Sequence, residues 1–395
     1  MNCKTIFFSA ISLLLLSVNV QASSIKRMYE VSLPVVSQER QIRRTAFEQA
    51  LIEVSVRVSG TSLAPTQLNL NKATQMVSQY RYQSMSQAEI DAYMKQSKTL
   101  IPPRYKLWIQ FDDGKIKQLL RDNSLPIWGH QRPNVLVWLA VKDGKNRYIL
   151  KKSDRSLIKD AVIRESRKRG LPILWPEFDA QDQKLVSFID IWGKFWEPVK
   201  QASQRYPVDA IIIGQMNWAN SSWQVDWSLF LEDRTDTWQL TALDLSLLMS
   251  SGIGVATDHI SSRFAVFADS MNDAELVVRI SDLKNVKSYA KASHYLSSLA
   301  PVKHVFATEV NKNYIDFLVE LSGDESDLKR IIALGKVLRP DTRPELEQKI
   351  QRPVNPDTVN PGSQIKNQPD QNGTGSLLPV PNIKKPHIIR YRMNG

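Results

Sequence analysis

Three carboxylates stand close together in the stretch WPEFDAQD, at Glu177, Asp179 and Asp182. The stretch follows LPILW, which has the pattern of a short strand, and open α/β sheets bind ligands beyond the carboxyl ends of their parallel strands. Carboxylates in that place can hold a divalent cation or act as a general acid and base. No basic or nucleophilic partner at a diagnostic spacing accompanies them. We therefore expect the simpler arrangement, in which they cap the next helix and solvate a loop.

The other side chains that could do chemistry form no recognisable pattern. The five histidines lie in separate segments without metal-ligand spacing, at His130, His259, His294, His304 and His387. The sequence also lacks the phosphate-binding G-x-x-x-x-G-K-[ST] loop, the H-E-x-x-H zinc motif and the G-x-S-x-G nucleophile elbow. We expect no catalytic residue, no cofactor and no metal ion, and hence a protein that is not an enzyme.

The N-terminus has the features of a Sec-type signal peptide, residues 1–22. Lys4 supplies the positive charge, IFFSAISLLLLSV is the apolar core, and small residues end at Ala22, after which we expect cleavage. The apolar core has 13 residues, fewer than the roughly 20 that a membrane span needs. Cys3 is the only cysteine and lies inside this segment, so the mature chain has no disulfide, thiolate nucleophile or cysteine zinc site. An exported chain of this size without disulfides is typical of the periplasm of a Gram-negative bacterium.

The formal net charge of the chain is +12, which favours acidic partners. For an exported protein these are peptidoglycan, anionic lipid headgroups or the acidic faces of other envelope proteins, rather than nucleic acid. A basic surface without any partner is the alternative. The run RESRKRG has the same two interpretations, as the solvated face of a helix or as a site for an anionic partner.

Hydrophobic periodicity predicts an α+β domain over residues 23–130. RMYEVSLPVV and YKLWIQFDD alternate as strands do, GKIKQLLRDN is a short helix, and Ala64 to Lys98 is polar and helical in pattern. The stretch RQIRRTAFEQALIEVSVRVSG begins as a helix, and Gly60 suits its end. Its apolar residues step by four through Ile42, Ala46, Ala50, Val54 and Val58. Its arginines, Arg40, Arg43 and Arg44 among them, fall outside that stripe, so we expect them on the solvent side.

Residues 131–270 have the pattern of an α/β domain with a parallel sheet. NVLVWLAV is a continuous apolar run and predicts a strand buried on both faces. SLIKDAVIRESRKRG is a helix, and LPILW and DAIIIGQM are strands separated by a helical region. MNWANSSWQVDWSLFLE predicts a hairpin that turns at Asn220–Ser222. TWQL follows as a further strand and Leu243 to Phe267 as a closing helix.

Tryptophans are frequent in this domain and have two interpretations. Trp218, Trp223 and Trp227 lie on the predicted hairpin, and Trp192 and Trp196 are four residues apart on a predicted helix. Exposed tryptophans can stack on sugar rings, but this spacing is also that of a packed core.

Residues 271–339 follow the order β-α-β-β-α, with a hairpin turn at Asn311–Asn313. This order is that of a ferredoxin-like module whose last strand is missing or borrowed. Residues 340–395 hold nine of the 20 prolines and few large apolar residues, which predicts a disordered, basic tail. Its end, KKPHIIRYRMNG, has the composition of a docking peptide for a protein or for an anionic lipid surface.

Several stretches carry a family resemblance: RRTAFEQALIEVSVRVSG, LPIWGHQRPNVLVWLAV, RGLPILWPEFDAQD, DIWGKFWEPVKQASQRYPVDAIIIGQM and WQVDWSLFLE. In this order they resemble the DUF2066 family of proteobacterial exported proteins, over Met28 to Leu245. The resemblance implies an exported protein and supplies no activity, cofactor or catalytic residue. In its order of elements the middle domain also resembles the N-terminal modules of TolB-like and CsgG-like envelope proteins.

These features favour a periplasmic, non-enzymatic binding or scaffold protein that acts on partners in the cell envelope, with an envelope protein as the expected partner. Two alternatives stay open. One is an envelope protein that binds a glycan or a lipid through its tryptophans or the sheet crevice. The other is a metal-assisted hydrolase that uses Glu177, Asp179 and Asp182.

Overall fold

A computed structural model describes residues 27–97, 99–267, 274–343 and 387–394. It has three β-sheets, of three, six and five strands, each with its own hydrophobic core. The mixed, multidomain class that the sequence predicts is confirmed. The described helices include none that is long and apolar enough to cross a membrane. The signal peptide, with cleavage after Ala22, lies outside the described residues and stays a prediction.

The N-terminal domain is a three-stranded antiparallel sheet with one long helix packed against it. Its strands run in the order β1-β3-β2 and are β1 (Glu30–Val35), β2 (Val77–Ser84) and β3 (Tyr105–Phe111). Its helices are α1 (Arg40–Ser59), α2 (Ala64–Gln67), α3 (Ala73–Met76), α4 (Gln87–Gln96) and α5 (Asp113–Asp122), with a 3-10 helix at Leu70–Lys72.

Helix α1 packs through the predicted stripe, since Ala46, Ala50 and Val54 are buried against the sheet. It ends at Gly60, whose φ of 80° lies in the left-handed region that favours glycine. A Cβ at this position would lie 2.3 Å from the Cβ of Ser261. The end of α1 therefore touches the middle domain with no space for a side chain.

The arginines of α1 differ between its two ends. Arg40 and Arg44 are exposed, as predicted, but Arg57 is buried. Its guanidinium donates hydrogen bonds of 2.5 to 3.2 Å to the carbonyl oxygens of Arg27, Met28, Glu30 and Lys168 and to the carboxylate of Glu53. The prediction is wrong for Arg57 because the middle domain covers this end of α1, and the periodicity of one helix does not show that.

The prediction of helix throughout Ala64 to Lys98 is wrong over β2, which is a strand. Its sequence VSQYRYQS has few apolar residues, but β2 pairs along β3, with Tyr82 opposite Leu107. The rings of Tyr80 and Tyr82 meet edge to face at 6.1 Å. Pairing with a buried strand, rather than its own hydrophobicity, fixes this segment as a strand.

The middle domain is a mixed sheet with helices on both faces. Its strands are β4 (Val135–Asp143), β5 (Asn146–Ile149), β6 (Ile173–Leu174), β7 (Ala210–Ala219), β8 (Ser222–Leu231) and β9 (Arg234–Ala242). Its helices are α6 (Leu157–Arg169), α7 (Ala180–Leu185), α8 (Phe188–Trp192), α9 (Trp196–Ser203) and α10 (Leu245–Phe264). The order is β5-β4-β7-β8-β9, with β6 paired to β4. Of these strands β4, β6 and β7 form the predicted parallel part, and the other pairs are antiparallel.

Strand β4 is buried on both faces, as predicted. Its residues Val137 and Leu139 belong to the core under α6 and α10, and Leu136 and Trp138 to the core under α8 and α9. The hairpin between β7 and β8 turns at Asn220–Ser221, within the predicted span, and both residues have positive φ.

The predicted single helix through Trp192 and Trp196 is wrong, because α8 ends at Trp192 and α9 begins at Trp196. The helix is interrupted between them, where Lys194 has a φ of 59° in the left-handed region. Trp192 instead stacks on Phe188, with ring centroids 5.3 Å apart. The two tryptophans therefore share no helical face.

The C-terminal domain has the predicted β-α-β-β-α order. Its elements are β10 (Glu275–Ser281), α11 (Val286–Ser298), β11 (Val302–Val310), β12 (Tyr314–Leu321), α12 (Glu325–Leu334), β13 (Leu338–Pro340) and β14 (His387–Met393). The strand order is β11-β12-β10-β14-β13. Strand β13 begins at the end of the predicted module, and β14, from beyond residue 339, lies between it and β10.

Strand β14 corrects the prediction of disorder for the end of the tail, His387–Met393. It pairs parallel with β10 and antiparallel with β13, and Ile389, Tyr391 and Met393 are buried in the domain core. Three alternating apolar residues are too few to predict a strand within a tail rich in proline and polar residues. In the structure they pack into the domain core because β14 pairs with β10. The apolar side of the basic tip faces its own domain rather than a lipid surface. Residues 344–386 lie outside the described part of the chain.

The two segments that connect the domains pair with each other. Ile127, between the N-terminal and middle domains, and Val266, between the middle and C-terminal domains, exchange backbone hydrogen bonds of 2.8 and 3.0 Å. A Cβ on Gly129 would lie 3.0 Å from the Cβ of Ala300, so this connection also lies close against the C-terminal domain. All three domains therefore meet at one place.

The buried side chain of Arg132 links chain segments that meet at this junction. The five N–H groups of Arg132 donate hydrogen bonds of 2.6 to 3.2 Å to the carbonyl oxygens of Arg57, Trp128, Gly129, Arg169 and Gly170. Its guanidinium also lies 3.8 Å from the ring centroid of Trp128. Burial, followed by the charge of Arg57, lowers the pKa of Arg132 well below its usual value. One side chain thus joins the end of α1, the first connection and the end of α6.

Candidate functional site

The acidic loop after β6 brings two of its three carboxylates together. Asp179 accepts hydrogen bonds of 2.7 and 3.0 Å from Arg205, and it caps α7 by accepting from the backbone of Gln181 and Asp182. Asp182 is fully buried and accepts hydrogen bonds of 3.1 Å from Arg205 and 2.5 Å from the hydroxyl of Tyr206. The expected helix-capping role is confirmed for Asp179.

Glu177 lies apart from this pair. Its exposed carboxylate accepts a hydrogen bond of 2.5 Å from Lys152. The three acids therefore do not converge on one point. Among the described residues no group of three histidine, cysteine, aspartate or glutamate side chains could hold a metal ion.

Electrostatics also gives this loop a structural role. The hydrogen bond from Arg205 lowers the pKa of Asp179 to about 2. Burial, followed by the hydrogen bond to Asp182, raises the pKa of Tyr206 to about 12. The donors of Arg205 and Tyr206 thus take up the lone pairs that a cation would need.

A larger site lies where the domains meet. We call it the junction cleft: a cavity of about 920 Å³ between α5, the first connection, α11 and the start of β11. Its walls come from the N-terminal and C-terminal domains, and the two paired connections form its floor. The polar residues that line it are Tyr29, Asp113, Lys117, Arg121, His130, Gln131, His294, Ser297, Ser298, Lys303, His304 and Ser322.

Positive charge exceeds negative charge in the junction cleft. Lys117, Arg121 and Lys303 are permanent cations, and Asp113 is the one carboxylate among its lining residues. The Asp113 carboxylate lies 3.6 Å from the Lys117 ammonium, and Arg121 donates to the side chain of Gln118 at 3.0 and 3.3 Å. The cleft is therefore suited to an anionic group.

Three of the five histidines also reach this cleft. His130 comes from the first connection, His294 from α11 and His304 from β11. Sequence spacing could not show this, because the three belong to two separate parts of the chain and only the packing of domains brings them together. A neutral imidazole can donate one hydrogen bond, and a protonated one donates two and adds a charge.

Aromatic rings at the floor keep the cleft in shape. Trp128 is fully buried beneath Arg132, and the ring of Tyr29 meets that of His130 edge to face at 6.4 Å. Burial, reinforced by the charge of Asp113, raises the pKa of the Tyr29 hydroxyl. Tyr29 therefore stays neutral and can act as a hydrogen-bond donor.

Comparison with known proteins reaches only the first of the three domains. Residues 22–129 match a family model, Domain of unknown function (DUF8605). The resemblance to DUF2066 is wrong, because the match is to this different family and DUF2066 gives none. No curated protein and no solved structure matches the chain significantly. The matched span carries Asp113, Lys117 and Arg121, one whole wall of the junction cleft.

Proposed function

We propose that the protein is an exported, non-enzymatic binding protein of the cell envelope whose junction cleft takes an acidic segment of a partner protein. The observation that carries this proposal is the cleft itself, where three cations and three histidines from separate domains line one cavity. Signal-peptide features and the net charge of +12 agree with an acidic partner outside the cytoplasm.

The lining offers hydrogen-bond donors in excess. Lysine and arginine side chains bind carboxylates through charge-assisted hydrogen bonds, which are about twice as strong as neutral ones. Ser297 and Ser298 add hydroxyls at the end of α11, although each already donates to a carbonyl of its own helix. An aspartate- or glutamate-rich segment would therefore find partners on both walls at once.

Crosslinking in cells tests the proposal. A photo-reactive amino acid in place of the exposed Ser297 should capture one envelope protein reproducibly. That product should disappear from the charge-reversed variant Lys117→Glu, Arg121→Glu, Lys303→Glu. The matched control reverses three exposed cations of the middle domain, by the changes Lys145→Glu, Arg147→Glu and Lys184→Glu, and should keep the product. Recovery of the protein alone, or equal loss in both variants, would count against the cleft.

A glycan ligand is a second candidate, favoured by one observation. At the tip of the β7–β8 hairpin the side chain of Trp218 is 47% exposed and meets Trp223 edge to face at 5.2 Å. An exposed tryptophan edge can stack on a sugar ring. Titration of tryptophan fluorescence with soluble peptidoglycan fragments tests this, with Trp218→Ala as the variant and exposed Phe195→Ala as the control. No response in the unmodified chain would rule it out.

The acidic loop gives the hydrolase hypothesis no support, because Glu177 points to Lys152 while Asp179 and Asp182 bind Arg205. The proposal therefore rests on binding alone.

A further inference from the structure

Strand β14 makes the one parallel pairing among the described strands of the C-terminal sheet. β10 and β12 are antiparallel, and so are β11 and β12. β14 instead runs parallel to β10 and stands between β10 and β13. Strand β13 is antiparallel to β14 and hence to β10, the direction in which a split β-α-β-β-α-β unit closes. The domain thus has its full set of strands without β14, which is inserted into it.

The connection to β14 is far longer than its position needs. The N–H of Asp341, one residue beyond β13, donates to the carbonyl of Arg390 at 3.1 Å, so the two strands are adjacent antiparallel neighbours. A turn of about two to five residues would join such a pair. The sequence has 43 residues there, 344–386, which can span up to about 150 Å. The same segment can therefore reach the sheet of a neighbouring molecule.

The contacts that hold β14 in the sheet are made by the residues of β14 themselves. Its backbone pairs with six consecutive residues of β10, from Leu276 to Ser281. Ile389, Tyr391 and Met393 are 5%, 5% and 7% exposed and fill the core beneath α11 and α12. None of these contacts depends on which molecule supplies the strand.

We infer that β14 is exchanged between copies of this chain, so that the slot between β10 and β13 accepts His387–Met393 from a second copy. Two chains then associate by reciprocal strand exchange. A long connection lowers the effective concentration of the strand at its own slot, and this makes exchange sensitive to protein concentration. This association is independent of the junction cleft.

Crosslinking between β10 and β14 tests the exchange. Val277 and Ile388 stand opposite each other on the sheet face away from the helices. In chains of residues 23–395, which contain no cysteine, one preparation receives Val277→Cys and the other Ile388→Cys. The two are mixed at rising concentration and treated with a short thiol crosslinker. We expect a species of twice the monomer mass that increases with protein concentration.

Two controls decide the outcome. A mixture of the Ile388→Cys chain with a chain carrying Cys at the exposed position Ser246 should give no such species. A single chain with both Val277→Cys and Ile388→Cys should crosslink within itself when dilute and between chains when concentrated. Crosslinking only within one chain at every concentration would overturn the exchange. No crosslink of either kind would overturn it as well, because β14 would then not occupy the slot.

Discussion

Replacing Arg132 by methionine tests how the domains are held together. The change removes five hydrogen-bond donors and leaves five carbonyl acceptors, of which all but that of Gly129 belong to buried residues. A buried polar group without a partner costs about 1–3 kcal/mol. Methionine also removes a buried charge, and that desolvation penalty offsets part of the loss. We expect the free energy of unfolding to fall by about 3–5 kcal/mol.

Arg132→Lys separates charge from donor geometry. Lysine keeps the charge but has three donors for five acceptors, and it loses the planar contact with Trp128. We expect a loss of about 2–3 kcal/mol, because at least two acceptors stay unpaired. Arg40→Met, on the exposed end of α1, is the matched control and should change stability by less than about 0.5 kcal/mol.

Urea unfolding followed by circular dichroism measures these differences, taken from the transition in which the N-terminal and middle domains unfold. If Arg132→Met were no more destabilising than Arg40→Met, the junction would not depend on this side chain. If Arg132→Lys were as stable as the unmodified chain, charge rather than the five donors would hold it.

Three further changes test other parts of the structure. Ile389→Ala should destabilise the C-terminal domain by about 2–4 kcal/mol because it leaves a cavity in the core under β14. The side chain of Ile388 is 42% exposed, so Ile388→Ala should cost less than about 1 kcal/mol. Equal effects of the two changes in urea unfolding would contradict the orientation of the strand. Gly252→Ala places a Cβ 2.5 Å from a buried tryptophan indole and should lower the melting temperature. The Cβ of Gly254→Ala, in the same helix, meets nothing within 4 Å, so this change should raise the melting temperature slightly. Calorimetry should show shifts of opposite sign for the two variants. The pKa of Asp179 is lowered to about 2 from 3.8, so its pairing stabilises the fold above about pH 4, and this stabilisation is lost as the pH falls through about 2. Asp179→Asn should therefore be less stable than the unmodified chain at pH 5 and equal to it below pH 2. A difference in urea midpoint that stays constant with pH would contradict this.

Local pattern predicts most of the elements correctly. The four-residue stepping of α1, the continuous apolar run of β4 and the Asn220–Ser221 turn are local properties, and all three appear in the structure. β2 and β14 are missed because pairing with a neighbour distant in sequence, β3 in one case and β10 in the other, makes them strands. Their own composition is polar or basic and carries too little signal.

The candidate site could not be predicted for a related reason. The acidic residues that are close in sequence turn out to cap a helix and bind Arg205. The junction cleft instead combines residues 177 positions apart, such as Lys117 and His294. Only the packing of the first domain against the third, through Ile127 and Val266, brings them to one cavity. Spacing along one chain segment contains no information on such contacts.

Binding of an acidic peptide to the purified chain, residues 23–395, tests the central claim most directly. Fluorescence anisotropy with a short labelled polyglutamate peptide should show salt-dependent binding by the unmodified chain. The charge reversal at Lys117, Arg121 and Lys303 should weaken it by about tenfold or more, and reversal of the three middle-domain cations should leave it unchanged. Equal affinity of all three proteins, or equal loss in both variants, would contradict a binding site in the junction cleft.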